Sequence, residues 1–115
     1  MGVWLEIPGP PVAKQRARKG NGGWYTPKPT RDYEEAVAWV CRAQRERFGD
    51  QPVKVSIVLS ADGATVHVSP SDLAISGPGD LDNYAKSILD GMQKGGLFKN
   101  DKQVVELQVS VRPSE

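Results

Sequence analysis

At 115 residues, with 38% hydrophobic and 25% charged residues, the chain has the size and composition of one globular domain. It contains no apolar run near the roughly 18 residues of a membrane span, and its first residues lack the pattern of a secretory signal, so we expect none. A single cysteine, Cys41, excludes an intrachain disulfide and a cysteine-based zinc site. The net charge of +1 hides an uneven distribution, because basic residues concentrate in the N-terminal third and acidic residues cluster from Asp80 onward.

The first half of the chain predicts one strand, one long loop and one helix. Apolar residues alternate over Val3–Ile7, which predicts a short strand that a proline-rich segment then ends. Residues 12–31 are polar, basic and rich in glycine and proline, so we expect a long loop with a small extended piece at residues 24–26. Asp32 is expected to cap a helix whose apolar spacing continues to Phe48.

The second half predicts two more strands and a second helix. Residues 53–59 alternate apolar and polar side chains, as in a strand with one buried face. Residues 60–79 predict a variable loop, with a short extended piece at residues 66–68. An amphipathic helix is expected over residues 83–94, and a renewed alternation over residues 104–111 predicts a final strand.

These elements follow the order β-α-β-α-β. That order predicts an α/β (α+β) fold with a small mixed β-sheet and two main helices. We expect one domain over residues 1–115, without internal repeats. Trp4 and Trp39 are expected to lie in its core because each falls in an element with an apolar face.

A basic segment precedes the first predicted helix. Six basic residues occur there with no acidic residue among them: Lys14, Arg16, Arg18, Lys19, Lys28 and Arg31. Such a segment is expected to contact the phosphates of DNA, which position the nucleic acid without reading its sequence. The alternative is a solvated charged loop that binds nothing. For Trp24, which lies in this segment, packing against the protein and stacking on a base are both open.

An acidic cluster marks the start of the second predicted helix. Asp82 is well placed as the N-cap, and alternation in an extended segment puts Asp80 on the same side. Lys86 lies one helical turn after Asp82, and Asn83 offers an oxygen that can bind a metal or hold a carboxylate. The alternative is a helix cap with a surface ion pair and no chemistry.

A third carboxylate, Asp101, is within reach of this cluster. A helix of about 12 residues is about 18 Å long, whereas the extended segment 95–101 can span about 23 Å. Three aspartates and a lysine suit the hydrolysis of a phosphodiester, because Mg²⁺ or Mn²⁺ prefers hard oxygen ligands and can activate water. No competing site is evident, since His67 and Cys41 are each unique and no glycine-rich phosphate loop signals an organic cofactor.

The segment DLDNYAKSILDGMQKGGLFKNDKQVVEL, residues 80–107, strongly resembles the RusA-like Holliday junction resolvases of bacteria and their phages. The family pattern is Asp-x-Asp-Asn-x-x-Lys, an Ala-x-x-Asp-(Ala/Gly) helix, a Gly-aromatic turn, an Asp-Asp pair or a near variant, and a Gln-(Val/Ile)-Val strand. The segments PPVAKQRAR (residues 10–18), YTP (residues 25–27) and YE (residues 33–34) are also similar to the family. The resemblance covers nearly the whole chain except residues 60–78.

The resemblance implies a homodimeric, Mg²⁺-dependent endonuclease, with Mn²⁺ as a substitute, in the cytoplasm of a bacterial or phage-infected cell. Such enzymes resolve four-way DNA junctions by nicking two opposed strands in recombination and repair. By position, Asp80, Asp82 and Asp101 match the metal-binding catalytic aspartates. Lys86 matches the catalytic lysine, and Asn83 matches the family's asparagine.

The sequence departs from the family pattern at one position, because many relatives have two consecutive aspartates where this chain has Asn100 and Asp101. Asp101 is therefore the sole carboxylate at the second acidic site. Two other functions are compatible with the residues: a metal-dependent nuclease for flaps or other branched DNA, and a DNA-binding accessory protein that keeps the fold without cutting.

Overall fold

The computed structural model describes residues 2–73 and 78–111, and its elements belong to two compact units, Met1–Ser71 and Asp72–Glu115. The first unit contains β1 (Val3–Pro8), β2 (Arg18–Gly20), β3 (Gly23–Tyr25), α1 (Lys28–Arg42), β4 (Val53–Ser60) and β5 (Gly63–Pro70). The second contains α2 (Leu81–Lys94) and a short 3-10 helix, Asp101–Gln103. Two helices and a small sheet confirm the predicted α+β fold class. None of the described helices has the length and apolar character needed to span a membrane.

The core of the first unit lies between the three-stranded sheet and α1. The strand order is β1-β5-β4, and both pairings are antiparallel. The prediction of a mixed sheet is therefore wrong. The alternation in β1 turns Val3, Leu5 and Ile7 inward, where each is less than a tenth exposed. The apolar stripe of α1 covers them, with Tyr33 and Val37 packed against this cluster. The strand prediction for β1 is confirmed. β4 is a strand as predicted, but the expected buried face is wrong, because all eight of its residues are exposed.

Helix α1 begins earlier than predicted. Asp32 was expected to cap the helix, but Pro27 occupies the N-cap position and the helix starts at Lys28. Pro29 in the first turn causes no loss, because the first backbone N–H groups of a helix have no partner within it. Asp32 instead lies inside the helix, where its carboxylate accepts a hydrogen bond from Lys28 at 2.6 Å. The lysine lies one turn earlier on the same face.

The same helix ends at Arg42 instead of Phe48. Its last carbonyl oxygens accept hydrogen bonds from the Arg47 side chain, in place of the backbone N–H groups that a longer helix would provide. Arg47 folds back and donates hydrogen bonds to the carbonyl oxygens of Cys41 and Arg42, at 2.9 and 3.3 Å. Both carbonyls belong to the last turn, and that of Cys41 also accepts the backbone N–H of Gln44 at 3.1 Å. Phe48 still packs against the core, but it does so from the returning loop. The apolar spacing was therefore correct as a burial pattern and wrong as a helix length.

The region predicted as a variable loop over residues 60–79 contains the central strand of the sheet. β5 pairs with β4 along its whole length: Val53 lies opposite Pro70, and Ser60 lies opposite Gly63, next to a two-residue turn. On its other edge β5 pairs with β1. The expected extended piece at residues 66–68 is its middle. The apolar residues of β5 are few and small, and glycine, serine and proline surround them, so the strand signal in the sequence was weak.

Two further predictions are wrong. Residues 104–111 contain no strand, although their apolar alternation is clear, because no described segment supplies the hydrogen-bonding partner that a strand needs. Val105 is 91% exposed. Trp4 and Trp39 are not in the core, since they are 66% and 72% exposed. Trp4 lies on the outward face of β1, where its ring stacks on His67 at a centroid distance of 4.3 Å.

A buried threonine anchors the basic segment to α1. Thr30 is 3% exposed, and its hydroxyl accepts a hydrogen bond from the backbone N–H of Gln15 at 3.1 Å. The same hydroxyl donates to the side-chain oxygen of Gln15 at 3.3 Å. These bonds hold together two points that lie fifteen residues apart along the chain. The two ends of the segment between Gln15 and Thr30 are therefore held next to each other.

Replacing Thr30 with valine is expected to destabilise the protein by about 1 kcal/mol, because an isosteric methyl group removes both hydrogen bonds and leaves the Gln15 groups without their partner. Urea denaturation followed by circular dichroism measures the change. The matched control is Thr65→Val, since Thr65 donates its hydrogen bond to Glu6 at an exposed position of the sheet. Equal losses for the two variants would contradict a special role for Thr30.

Candidate active site and nucleic-acid interface

The two aspartates of the predicted metal site lie at the N-terminus of α2. Asp80, not Asp82 as predicted, is the N-cap, with an extended backbone at φ −83° and ψ 153°. Asp82 lies in the first turn, where the helix dipole favours a negative charge. Neither carboxylate forms a hydrogen bond or ion pair with the described part of the chain, and Asp80 makes no capping bond with its side chain. Both are thus available to a ligand.

A close contact fixes the backbone just before Asp80. The backbone N–H of Gly79 donates a hydrogen bond to the hydroxyl of Tyr84 at 3.1 Å. A β-carbon at position 79 would lie 3.1 Å from the Tyr84 ring, closer than ordinary packing allows. Glycine therefore permits the tyrosine to lie against the entry of the helix. This contact restrains the segment that carries Asp80.

Lys86 connects the helix to the third predicted aspartate. Its ammonium group lies 2.9 Å from Asp101 and 3.1 Å from Asp90, which is one turn further along α2. The segment after α2 therefore does return to the helix, as its length allowed. Lys86 lies one helical turn after Asp82, so it is close to the two aspartates at the N-terminus of α2. Asp90 was not singled out from the sequence as a partner of Lys86.

The backbone around Asp101 is held by amide side chains that the sequence analysis missed. The side-chain oxygen of Gln93, on α2, accepts a hydrogen bond from the Asp101 N–H at 3.1 Å. Asn100 caps the 3-10 helix by accepting from the Lys102 N–H at 2.9 Å, and Gln103 accepts from the Asn100 N–H at 3.0 Å. This reciprocal pair is a capping box. The spacing Asn-x-x-Gln was its signal in the sequence.

The capping role of Asn100 explains how this chain tolerates an asparagine at the first position of the family's acidic pair. Asparagine and aspartate are both strong N-cap residues, because each has a side-chain oxygen that accepts the same backbone hydrogen bond. The structural role of the position is therefore kept while its negative charge is lost. Asp101 remains the carboxylate that contacts Lys86.

The donor chemistry at the start of α2 suits a hard divalent cation, since the side chains of Asp80 and Asp82 offer oxygens only. Asn83 follows at once in the same turn and adds an amide oxygen. Within residues 2–73 and 78–111, however, no three acidic, histidine or cysteine side chains form a group able to hold a metal ion. The ligand types fit Mg²⁺, whereas Asp101 is engaged by Lys86.

The ion pair shifts the titration of both partners. Hydrogen bonds to Asp101 and then to Asp90 raise the pKa of Lys86 above its ordinary value. The hydrogen bond from Lys86 and its positive charge lower the pKa of Asp101 below its ordinary value. Lys86 therefore stays charged to higher pH, and Asp101 stays ionised to lower pH, than the free side chains.

Replacing Lys86 with glutamine is expected to raise the pKa of Asp101 towards its ordinary value, because the ammonium group is the main cause of the shift. Carboxyl-detected NMR titration of the wild type and the variant measures the change. Lys102→Gln is the matched control, since the charge of Lys102 contributes less to the same shift. An unchanged pKa of Asp101 in Lys86→Gln would show that the ion pair is not formed in solution.

The structure divides the six predicted DNA-binding residues into two groups. Lys14 and Lys28 are already paired, with Glu34 and Asp32 of α1, each at 2.6 Å. The other four form no ion pair with described residues, and they are Arg16, Arg18, Lys19 and Arg31. The absence of acids within the segment did not reveal this difference, because both neutralising carboxylates belong to α1, which also contains Lys28.

Comparison with protein families gives one assignment. The family model described as endodeoxyribonuclease RusA matches residues 8–115. No curated protein and no solved structure is similar enough to count as a match. The matched range includes the basic segment, the start of α2 and Asp101. The chain therefore belongs to the RusA endodeoxyribonucleases, a family of Holliday junction resolvases that act on branched DNA.

Proposed function

We propose that this protein resolves four-way DNA junctions as a Mg²⁺-dependent homodimer that nicks two opposed strands. The observation that carries the proposal is the ion pair between Lys86 and Asp101 at 2.9 Å, one helical turn from Asp82. Lys86 of α2 and Asp101 of the 3-10 helix, which match the basic and acidic positions of the family, are thus in contact although they lie fifteen residues apart in the sequence. Recombination and repair are the processes that produce such junctions.

In this proposal, Asp80 and Asp82 would hold Mg²⁺, with Asn83 supporting them. Asp101, which forms no three-carboxylate group with them among the described residues, would complete the ligand set through Oδ1, the oxygen that Lys86 does not contact. When bound, the ion would activate water and neutralise charge that develops on the scissile phosphate. Asp80 and Asp82 form no competing bonds with described residues, so binding a cation breaks none of their contacts. Manganese has similar ligand preferences and is expected to substitute.

Lys86 is proposed to stabilise the negative charge of the reacting phosphate. An ammonium group has three N–H donors, and the contacts with Asp90 and Asp101 use two of them. The third can donate to a phosphate oxygen. The two carboxylates hold the ammonium group in place, and they raise the pKa of a group that is already protonated at neutral pH. A fixed positive charge costs no reorganisation when the transition state forms.

The DNA is proposed to be held by the unpaired cations of the basic segment, Arg16, Arg18, Lys19 and Arg31. Because they have no acidic partner in the described residues, they can neutralise phosphates without first breaking an ion pair. Binding of this kind releases counterions and weakens steeply as salt rises. Lys14 and Lys28 are expected to contribute less, since each must leave a carboxylate.

The homodimer is proposed from the symmetry of the substrate and from the exposed edge of the sheet. A four-way junction is two-fold symmetric, so a two-fold dimer offers one active site to each of two strands. β4 is an edge strand, and Val55, Ile57 and Leu59 on it are 50–65% exposed. Exposed apolar residues on a strand with one unpaired edge are typical of an association surface.

The test is cleavage of a synthetic four-way junction with end-labelled strands, with and without Mg²⁺, beside a flap and a replication fork of equal length. We expect symmetric nicks on two opposed strands of the junction in Mg²⁺ or Mn²⁺ only. Faster cleavage of the flap or fork would reassign the substrate. Junction binding without cleavage in either metal would show a DNA-binding accessory protein instead. Light scattering under the same conditions gives the oligomeric state.

A further inference from the structure

The hairpin formed by β2 and β3 presents a cation and an aromatic ring on each of its faces. Arg18 pairs with Tyr25, and Lys19 pairs with Trp24. Cross-strand partners lie on the same face of a hairpin, and successive residues point to opposite faces. Arg18 and Tyr25 therefore share one face, and Lys19 and Trp24 share the other. This arrangement follows from the pairing of two three-residue strands, and an irregular loop would not fix these side chains on two faces.

The hairpin is an ordered element that projects from its unit. No other helix or strand of the described chain packs against it. Its turn requires glycine, because Gly23 has a φ of +110°. A β-carbon on Gly20 would lie 3.1 Å from the Tyr25 ring, so glycine at this position leaves room for the ring. The bonds between Gln15 and Thr30 hold the base of the segment.

Trp24 at the hairpin is exposed without a structural reason within the described chain. Its side chain is 74% exposed, although tryptophan is usually well buried. Trp4 and Trp39 are exposed to a similar degree, and Trp24 differs from them in sharing a hairpin face with Lys19. Neither Trp24 nor Lys19 forms a ring contact, hydrogen bond or ion pair with described residues. The exposed ring and the unpaired cation have the chemistry of a site that stacks on a base and neutralises a neighbouring phosphate. This evidence favours stacking over packing for Trp24.

We propose that Trp24 recognises the branch point of DNA by stacking on a base pair exposed there, while Lys19, on the same face of the hairpin, contacts an adjoining phosphate. Within a linear duplex, the faces of each base pair are covered by its neighbours. At a branch the stack is interrupted, so an aromatic ring can replace a missing neighbour. Trp24 is thus a specificity-determining residue that separates branched from linear DNA. This proposal rests on the junction-resolving function proposed above.

The test compares equilibrium binding to a four-way junction and to a linear duplex of the same length, without divalent cations so that neither is cut. Both ends of the linear duplex, and the ends of the junction arms, are closed by loops to remove exposed terminal base pairs. Trp24→Ala is expected to weaken junction binding about tenfold and to leave duplex binding within about twofold. Trp24→Phe should retain most of the junction affinity because it keeps a stacking ring.

Two matched variants separate stacking from charge. Trp39→Ala removes an equally exposed tryptophan from α1 and should change neither affinity. Lys19→Ala should weaken binding to both DNAs by the same factor and reduce the slope of log affinity against log salt by about one. A fluorescent base analogue placed at the branch should change its emission on binding the wild type but not Trp24→Ala.

The outcomes distinguish this proposal from the function on which it rests. If the wild type prefers the junction and Trp24→Ala keeps the same preference, the role of Trp24 is refuted while the junction function stands. Equal losses on both DNAs, or an equal loss in Trp39→Ala, would also refute it. If the wild type neither prefers nor cuts the junction, the proposed function fails as well.

Discussion

Replacing Asp82 with asparagine is expected to reduce Mg²⁺-dependent nicking of a four-way junction about 100-fold or more. The side chain keeps its shape and its place in the first turn of α2, but it loses the negative charge that would hold the cation. Junction binding in the absence of metal should be unchanged or slightly tighter, because a charge that repels phosphate is removed. Gel-based cleavage rates and fluorescence anisotropy measure the two effects.

Asp50→Asn is the control for this substitution. Asp50 is exposed in the turn before β4, outside the predicted site, and forms no hydrogen bond or ion pair with described residues. The substitution Asp50→Asn makes the same chemical change as Asp82→Asn, and we expect it to leave the cleavage rate unchanged. A cleavage rate in Asp82→Asn equal to that of Asp50→Asn would refute the metal assignment. In that case the role of Asp82 would be limited to the favourable interaction of its charge with the dipole of α2.

Replacing Lys86 with glutamine is also expected to lower the nicking rate about 100-fold, with Mg²⁺ affinity largely retained. Glutamine keeps most of the length of the side chain and a hydrogen-bond donor but carries no charge. The loss should appear in the cleavage step measured at saturating DNA and metal, since the proposed role of Lys86 is to stabilise the reacting phosphate. Single-turnover kinetics across a Mg²⁺ titration separates this rate from metal binding.

The control is Lys102→Gln, which removes a neighbouring charge beside the same aspartate. A cleavage rate that falls equally in both variants would show a general field effect and not a role specific to Lys86. Stability should hardly change in Lys86→Gln, because exposed ion pairs contribute little to folding. An inactive but unfolded variant would therefore argue for a structural role that the exposed position of Lys86 does not predict.

Sequence patterns predicted the elements whose signal is local. The alternation in β1 and β4 and the apolar spacing of α2 were sufficient, because each pattern repeats within a few neighbouring residues. The two glycines at positions 95 and 96 marked the end of α2 correctly, and Gly96 has a φ of +82°. The relation between Asp82 and Lys86 follows from helical geometry alone. The family assignment rests on the same local segment.

The strand and helix errors arose where contacts with distant residues decide. β5 was predicted mainly as loop because its own residues are weak strand formers, and pairing with strands on both edges overrides this preference. The segment 104–111 shows the opposite case, since it has the pattern of a strand without a described partner. Arg47 ends α1 by a side-chain contact that apolar spacing does not encode.

By itself, the sequence determined the family, the acidic and basic positions at the start of α2, and the reach of Asp101. Only the tertiary structure decided that Lys86 holds Asp101, that Lys14 and Lys28 are neutralised, and that the basic segment contains a hairpin carrying Trp24. The physical reason is that periodicity reports which residues of an element share a face, and β4 shows that such a face can still be exposed. Ion pairs and cross-strand neighbours depend on how the chain reverses between elements, and the turns that set this have only short and weak sequence signals.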